Sequence, residues 1–123
     1  MANPNLASIS TITGQIGQIA LATTSATSLV NNAASSGTII KVESIIVANT
    51  TATVASITIN TYSAAALGGT AYQLASTIPV PANASIIITD KSTSFYLTEN
   101  TSLGATAGTA NALVVTTAWE IMS

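Results

Sequence analysis

The run from Asn111 to Met122, NALVVTTAWEIM, alternates residue by residue with a period of two. Leu113, Val115, Thr117, Trp119 and Ile121 fall on one face, and Val114, Thr116, Ala118, Glu120 and Met122 on the other. Successive side chains of an extended strand point to opposite faces, so this period specifies a strand with one apolar face turned to a core. No segment of the chain carries the i, i+3, i+4, i+7 apolar stripe of a helix over ten residues. The expected fold class is therefore all-β.

The same reading extends upstream. Thr38–Ala48 is a strand with Ile40, Val42, Ile46 and Ala48 on one face and Ile39, Lys41, Glu43, Ile45 and Val47 on the other. Asn49–Ala52, NTTA, supplies turn chemistry. Thr53–Tyr62 then alternates Ala55, Ile57 and Ile59 against Ser56, Thr58 and Asn60, and the two segments read as the best hairpin in the chain. Ala71–Ile78 is a further strand, ended by Pro79-Val80-Pro81, because proline cannot donate to a ladder and pushes its predecessor out of helix. These prolines mark a corner where the chain can cross from one sheet to another. Ile86–Ile88 and SFYLT are short strands, and QIGQIALA and TSLV weaker ones. AAALGG (Ala64–Gly69) and GATAGTAN (Gly104–Asn111) read as small-residue loops. About eight short strands with turn signals between them imply a two-sheet antiparallel sandwich, with jelly-roll or immunoglobulin-like connectivity. Residues 14–123 form that sandwich domain, and residues 1–13, without period or caps, form an extended N-terminal arm.

Composition narrows the function. Charged residues are 5% of the chain, against about 25% in an ordinary soluble domain. The cations are Lys41 and Lys91, and the anions Glu43, Asp90, Glu99 and Glu120. Two lysines and a net charge of −2 exclude a patch that tracks phosphates and argue against an anionic membrane surface. Ala, Ser and Thr make up nearly half of the residues, so solubility rests on hydroxyls, and contacts should depend little on salt. There is no cysteine and hence no disulfide framework. The start, MANPNLASIS, lacks the basic and apolar regions of a secretory signal. No apolar run is long enough to span a membrane as a helix, and TIIKVESIIVA is broken by Lys41 and Glu43.

Catalytic chemistry has few candidates. Without histidine there is no Ser-His or Cys-His nucleophile and no imidazole metal ligand. Lys41 and Glu43, two apart on one strand, read as an exposed ion pair. Asp90 and Glu99 could meet across a short hairpin, but the oxygen-rich spacing of a calcium loop is missing. The glycine loops match no phosphate cradle. Sequons at Asn49, Asn83 and Asn100 are what chance delivers in a chain so rich in Ser and Thr. The expectation is that the chain is not an enzyme and has no catalytic, cofactor or metal residues. The aromatics are Tyr62, Tyr72, Phe95, Tyr96 and Trp119. Trp119 shares a face with Leu113, Val115 and Ile121 and reads as core. Phe95 and Tyr96 are adjacent, so one points inward and the other outward, where it can join an interface.

IIVANT (Ile45–Thr50), IPVPA (Ile78–Ala82), LTENTSL (Leu97–Leu103) and the last aliphatic strand, Leu113–Ile121, together resemble small all-β virion proteins of tailed bacteriophages, notably marine and cyanobacterial phages. The resemblance runs from about Thr38 to Met122. One turn departs from the family's E-G-D-S-L pattern and reads ENTSL, with Asn100 able to take the left-handed conformation of the glycine. The resemblance implies a non-enzymatic virion subunit, most simply a decoration or cement protein of the capsid. It would be assembled in the host cytoplasm, with the major capsid protein or other virion subunits as partners and a homo-oligomer, guessed as a trimer, as the assembled form. A tail, neck or fibre-associated protein is the alternative within that class. A surface-binding module, ice-binding or adhesin-like, is a second alternative, suggested by outward threonines in TITGQIG and SITINTY. The interface candidates are Asn3, Pro4, Leu6, Ile9 and Ile12 on the arm, with Tyr96 and Met122.

Overall fold

The structure, a computed structural model, describes residues 3–123. These residues form nine strands: β1 (Ile12–Ala20), β2 (Thr27–Asn32), β3 (Ile39–Asn49), β4 (Ala55–Ala64), β5 (Gly68–Val80), β6 (Ser85–Thr89), β7 (Phe95–Leu97), β8 (Thr101–Ala107) and β9 (Leu113–Met122). Sheet A has the order β1-β9-β3-β6, with β7 also paired to β3, and sheet B the order β2-β8-β4-β5. Every pairing is antiparallel. The chain changes sheet at nearly every step, from β1 through β4 and again from β5 to β6 and from β7 through β9. That order is a jelly roll and not an immunoglobulin sandwich, a choice that strand spacing alone left open.

The alternating apolar faces close on each other. Sheet A contributes Ile40, Val42, Ile45, Val47, Leu113 and Val115, and sheet B contributes Ile57, Ile59, Val80, Leu103, Ala105 and Ala107. Burying each of the larger side chains contributes about 1.5–3 kcal/mol, which dominates the stability of a chain with so few ions. Trp119 lies partly buried against this core, on the face its period assigned. The proline corner behaves as expected, because the chain leaves β5 at Val80 and enters β6 at Ser85 in the other sheet. Pro79 itself lies inside β5, paired with Ser56, where the edge position of the strand tolerates it.

Several expectations are corrected. The alternation of β3 changes phase at Glu43. Val42 pairs with Trp119 and Ser44 with Ala118, so Glu43 is the extra residue of a bulge. Beyond it, Ile45 and Val47 turn inward and Ile46 and Ala48 outward, the reverse of the unbroken pattern. The segments on either side of NTTA are not a hairpin: β3 belongs to sheet A and β4 to sheet B, so the turn is an arch between sheets. The hairpin is β4–β5, turned at AAALGG with Ala66, Leu67 and Gly69 at positive φ. The first half of GATAGTAN is not a loop, since residues Gly104 to Ala107 lie in β8, an inner strand of sheet B.

The arm is shorter than expected and folds back. β1 begins at Ile12, so Ile12 and Thr13 are strand. Met1 and Ala2, the first two residues of the expected arm, lie outside the described residues. Asn5 caps a 3-10 turn at Leu6–Ser8 by accepting from the Ala7 N–H at 3.0 Å. The N–H groups of Ser10 and Thr11 donate to the Ser123 carbonyl at 3.0 and 2.9 Å, and the Ser123 N–H donates to the Thr11 carbonyl. At the other end, Asn3 Oδ1 accepts from the Glu99 N–H at 2.7 Å.

Candidate interaction surfaces

The residues singled out from sequence do not form one patch. Asn3 is engaged with Glu99 on its own chain, Pro4 and Ile9 are half-buried, and Leu6 is exposed on the 3-10 turn. Ile12 is exposed in β1 and Tyr96 in β7. Met122 is a correction: it stands on the outer face of sheet A, in register with Ile12 and Ile39, yet is only 7% exposed. Ile39 beside it is buried too, so Met122 offers no side chain to a partner, and at this end of the face Ile12 on β1 is the exposed residue.

The outer face of sheet A carries a signal that the sequence reading missed. Residues opposite each other in an antiparallel pair point to the same side. Ile16 faces Ala118, and Ile46 faces both Thr116 and Ile87. Ile12, Ile16 and Ile87 are each more than 60% exposed, and Ile46 is exposed as well. Lys41, Glu43 and Glu120 are the charged residues of this sheet, with Lys41 3.5 Å from Glu43. Lys41 also stands opposite both Glu120 and Tyr96. Apart from Gln18, which stands opposite Thr116, the remainder of the face is apolar or hydroxylated.

β1 borders that face. All nine of its residues pair with β9 without a bulge, and its other side pairs with no strand among the described residues. ITGQIGQIA holds no charge and no proline, the two commonest means of blunting an exposed edge. The signal was present in sequence as the alternation of Ile12, Gly14, Ile16 and Gln18. It was obscured because Ile12 and Thr13 read as arm.

On the opposite side the sandwich is open between β5 and the β6–β7 region. One groove there, of about 490 Å³, is lined by Leu74, Ala75, Ile78 and Ile86–Ile88 together with Thr89 and Thr93. A second cleft, of about 370 Å³, lies between β4–β5 and β7. It gathers Tyr62, Tyr72, Phe95 and Tyr96, four of the five aromatics of the chain, with Thr61, Ser63, Thr98 and Thr101.

No group of acidic side chains with metal-binding geometry occurs among the described residues. Asp90 caps the 3-10 turn Lys91–Thr93, and the Ser92 hydroxyl and N–H hold its carboxyl below the usual range. Glu99 Oε2 accepts from the Gly37 N–H at 3.2 Å. The two carboxylates thus serve separate turns. The threonine-bearing stretches TITGQIG and SITINTY lie in different sheets, so they do not build a single array. Among the described residues no helix is long and apolar enough to cross a membrane.

No protein-family model matches the chain, and no curated protein matches it. Among solved structures, a chain from Bacillus endospore appendages, described as a novel family of disulfide-linked pili, is similar in fold. It is 24% identical, with a TM-score of 0.50, over 91% of this chain and 87% of the other.

Proposed function

We propose that this chain is a non-enzymatic structural subunit that joins copies of itself and other subunits through the free edge and outer face of sheet A. The observation that carries this reading is β1, an uncharged, bulge-free edge strand of nine residues that exposes Ile12 and Ile16. Such an edge is a template for strand addition, in which main-chain hydrogen bonds supply affinity and alternate side chains supply fit. The scarcity of charge supports the same reading, since contacts of this kind persist across a wide range of ionic strength. In the form implied by the resemblance to phage virion proteins, the assembled object is a tailed-phage particle. The chain then decorates or cements the head against the major capsid protein.

Sedimentation velocity across a concentration series tests the self-assembly. The native chain is expected to form oligomers that persist in high salt, and Ile16→Lys to shift them toward monomer. A native chain that stays monomeric at every concentration overturns self-assembly. Immunogold microscopy of particles from a source lysate tests the virion form, with label expected over icosahedral heads; label on tails alone replaces the decoration role.

A filament subunit is the second reading. It is favoured by the fold shared with the appendage pili. This chain has no cysteine, so its filaments would be held without disulfides. Filaments in negative stain of the purified chain would decide for it.

A further inference from the structure

We propose that the cleft between β4–β5 and β7 is a binding site for a neutral saccharide. The proposal stands on how the chain distributes its aromatics. Four of the chain's five aromatics border this cleft from three strands, and because Tyr62 is buried against Gly104 and Phe95 against the core, Tyr72 and Tyr96 supply its exposed rings. Tyr72 stands opposite Thr61 on the β4–β5 wall, and Phe95 and Tyr96 come from β7 on the other sheet. Phe95 packs against the core and closes the floor, while Tyr72 and Tyr96 stay 60% and 47% exposed.

The neighbouring groove makes the contrast. It is lined by Leu, Ile and Ala with two threonines, as expected where an open sandwich edge is filled by whatever apolar side chains the strands supply. The aromatic cleft departs from that pattern. An aromatic ring presents a negative face, which attracts the polarised C–H groups on one side of a pyranose. The sugar's hydroxyls then need partners that both donate and accept, which is what Ser, Thr and Tyr hydroxyls provide. Thr101 Oγ1 already donates to the Thr98 carbonyl at 2.7 Å, and Ser63 Oγ accepts from the Thr70 N–H. The hydroxyls of Thr61, Thr98, Tyr72 and Tyr96 enter no hydrogen bond among the described residues and are free to turn to a ligand.

Charge selects the class. None of the chain's charged residues lines the cleft, and Lys41, the cross-strand neighbour of Tyr96, is paired with Glu43. A phosphorylated or carboxylated ligand would lose its hydration without gaining a cation, and single-stranded nucleic acid needs a basic groove as well as stacking rings. The cleft volume of about 370 Å³ lies within the range of small-molecule sites and suits one or two sugar rings.

The test is a titration of the isotopically labelled full chain with cellopentaose, maltopentaose and mannopentaose, followed by amide NMR. At least one is expected to shift the amides of Thr61, Tyr72, Tyr96 and Thr98 at millimolar concentration. Tyr72→Ala and Tyr96→Ala should each weaken that binding at least tenfold, and Tyr72→Phe should retain most of it. Both sites are exposed, and the unshifted amides of the core report that each variant is folded. No shift with any of the three at about 10 mM (near the weak limit of specific binding) overturns the proposal. Shifts that survive in Tyr72→Ala, or loss of self-association in that variant without loss of saccharide shifts, overturn it too. The titration is made on the Ile16→Lys chain as well as on the native one, so assembly through sheet A does not enter the readout and either idea can fail alone.

Discussion

Asn32 and Asn49 make the same pair of contacts at opposite ends of β3. Asn32 ends β2 in sheet B, and its Nδ2 donates to the Thr38 carbonyl at 3.1 Å and to the Leu97 carbonyl of sheet A at 2.9 Å. Asn49 ends β3 in sheet A, and its Nδ2 donates to the Thr53 carbonyl at 2.7 Å and to the Val80 carbonyl of sheet B at 3.0 Å. Both side chains are almost fully buried, and both amide oxygens are satisfied, by Ser36 and Thr38 in one case and by Thr51 in the other. Each asparagine therefore ties one sheet to the other where the chain crosses between them.

Replacing either by alanine removes the buried side-chain donor to one carbonyl of the facing sheet, that of Leu97 or that of Val80. Each substitution is expected to cost about 1–3 kcal/mol in chemical denaturation. The two sites are separated by most of the length of β3, roughly 30 Å at the rise of a strand. The double variant should lose the sum of the two single costs to within about 0.5 kcal/mol.

Gly104 lies beneath the turn that closes the β4–β5 hairpin. A Cβ there would stand 2.7 Å from Leu67 Cδ2, 3.1 Å from Tyr62 Cε2 and 3.2 Å from the Thr27 carbonyl oxygen. Gly104→Ala is expected to cost about 1–3 kcal/mol by overpacking. Adding Leu67→Ala to it should cost less than the sum of the single variants, since the second change removes the nearest clash. Strict additivity in the denaturation midpoints would show that the Leu67 contact is not the cause.

The bulge at Glu43 makes neighbouring isoleucines opposite in consequence. Ile45 is fully buried and Ile46 is exposed. Ile45→Ala should cost about 2–5 kcal/mol, and Ile46→Ala well under that. Thermal unfolding of the pair of variants checks the phase of β3 directly, because an unbulged strand would reverse the order.

Asp90 gives a pH dependence of known sign. The Ser92 hydroxyl, at 2.6 Å, and N–H, at 2.9 Å, favour its ionised form and lower its pKa from 3.8. Its contribution to stability is therefore complete above the unfolded value and is lost as the pH falls through the lower folded one. Melting curves of native protein and Asp90→Ala should differ at neutral pH. The gap should narrow as the pH drops below 3.8.

The residue pattern carried the fold class because β9 and the first part of β4 alternate without interruption, and period two leaves little choice of structure. It failed where one residue or one composition broke the rule. Glu43 adds a single position and reverses every later side chain of β3. β8 reads as a loop because Gly104, Ala105 and Ala107 have no β-branched side chains. Gly104 is pressed by Leu67 and Tyr62 on the outer side, and Ala105 and Ala107 face the core between the sheets. NTTA looks like a hairpin turn, but Asn49 points its amide inward, and the turn joins sheets instead of strands. The aromatic cleft had no local signature at all, since Tyr72 and Phe95–Tyr96 come to it from different sheets and meet only after their strands have taken their places.

Of the strand pairs among the described residues, only β4 with β5 joins consecutive segments of chain. β1 must wait for β9, and β2 for β8, before either has a neighbour. Chains dominated by such distant pairings close long loops before any contact rewards them, and fold in about milliseconds to seconds. The two partners of each distant pair are also hard to separate singly. A chain of this design is expected to be slow to reach its native state and slow to leave it, which makes its persistence a matter of rates as much as of equilibrium.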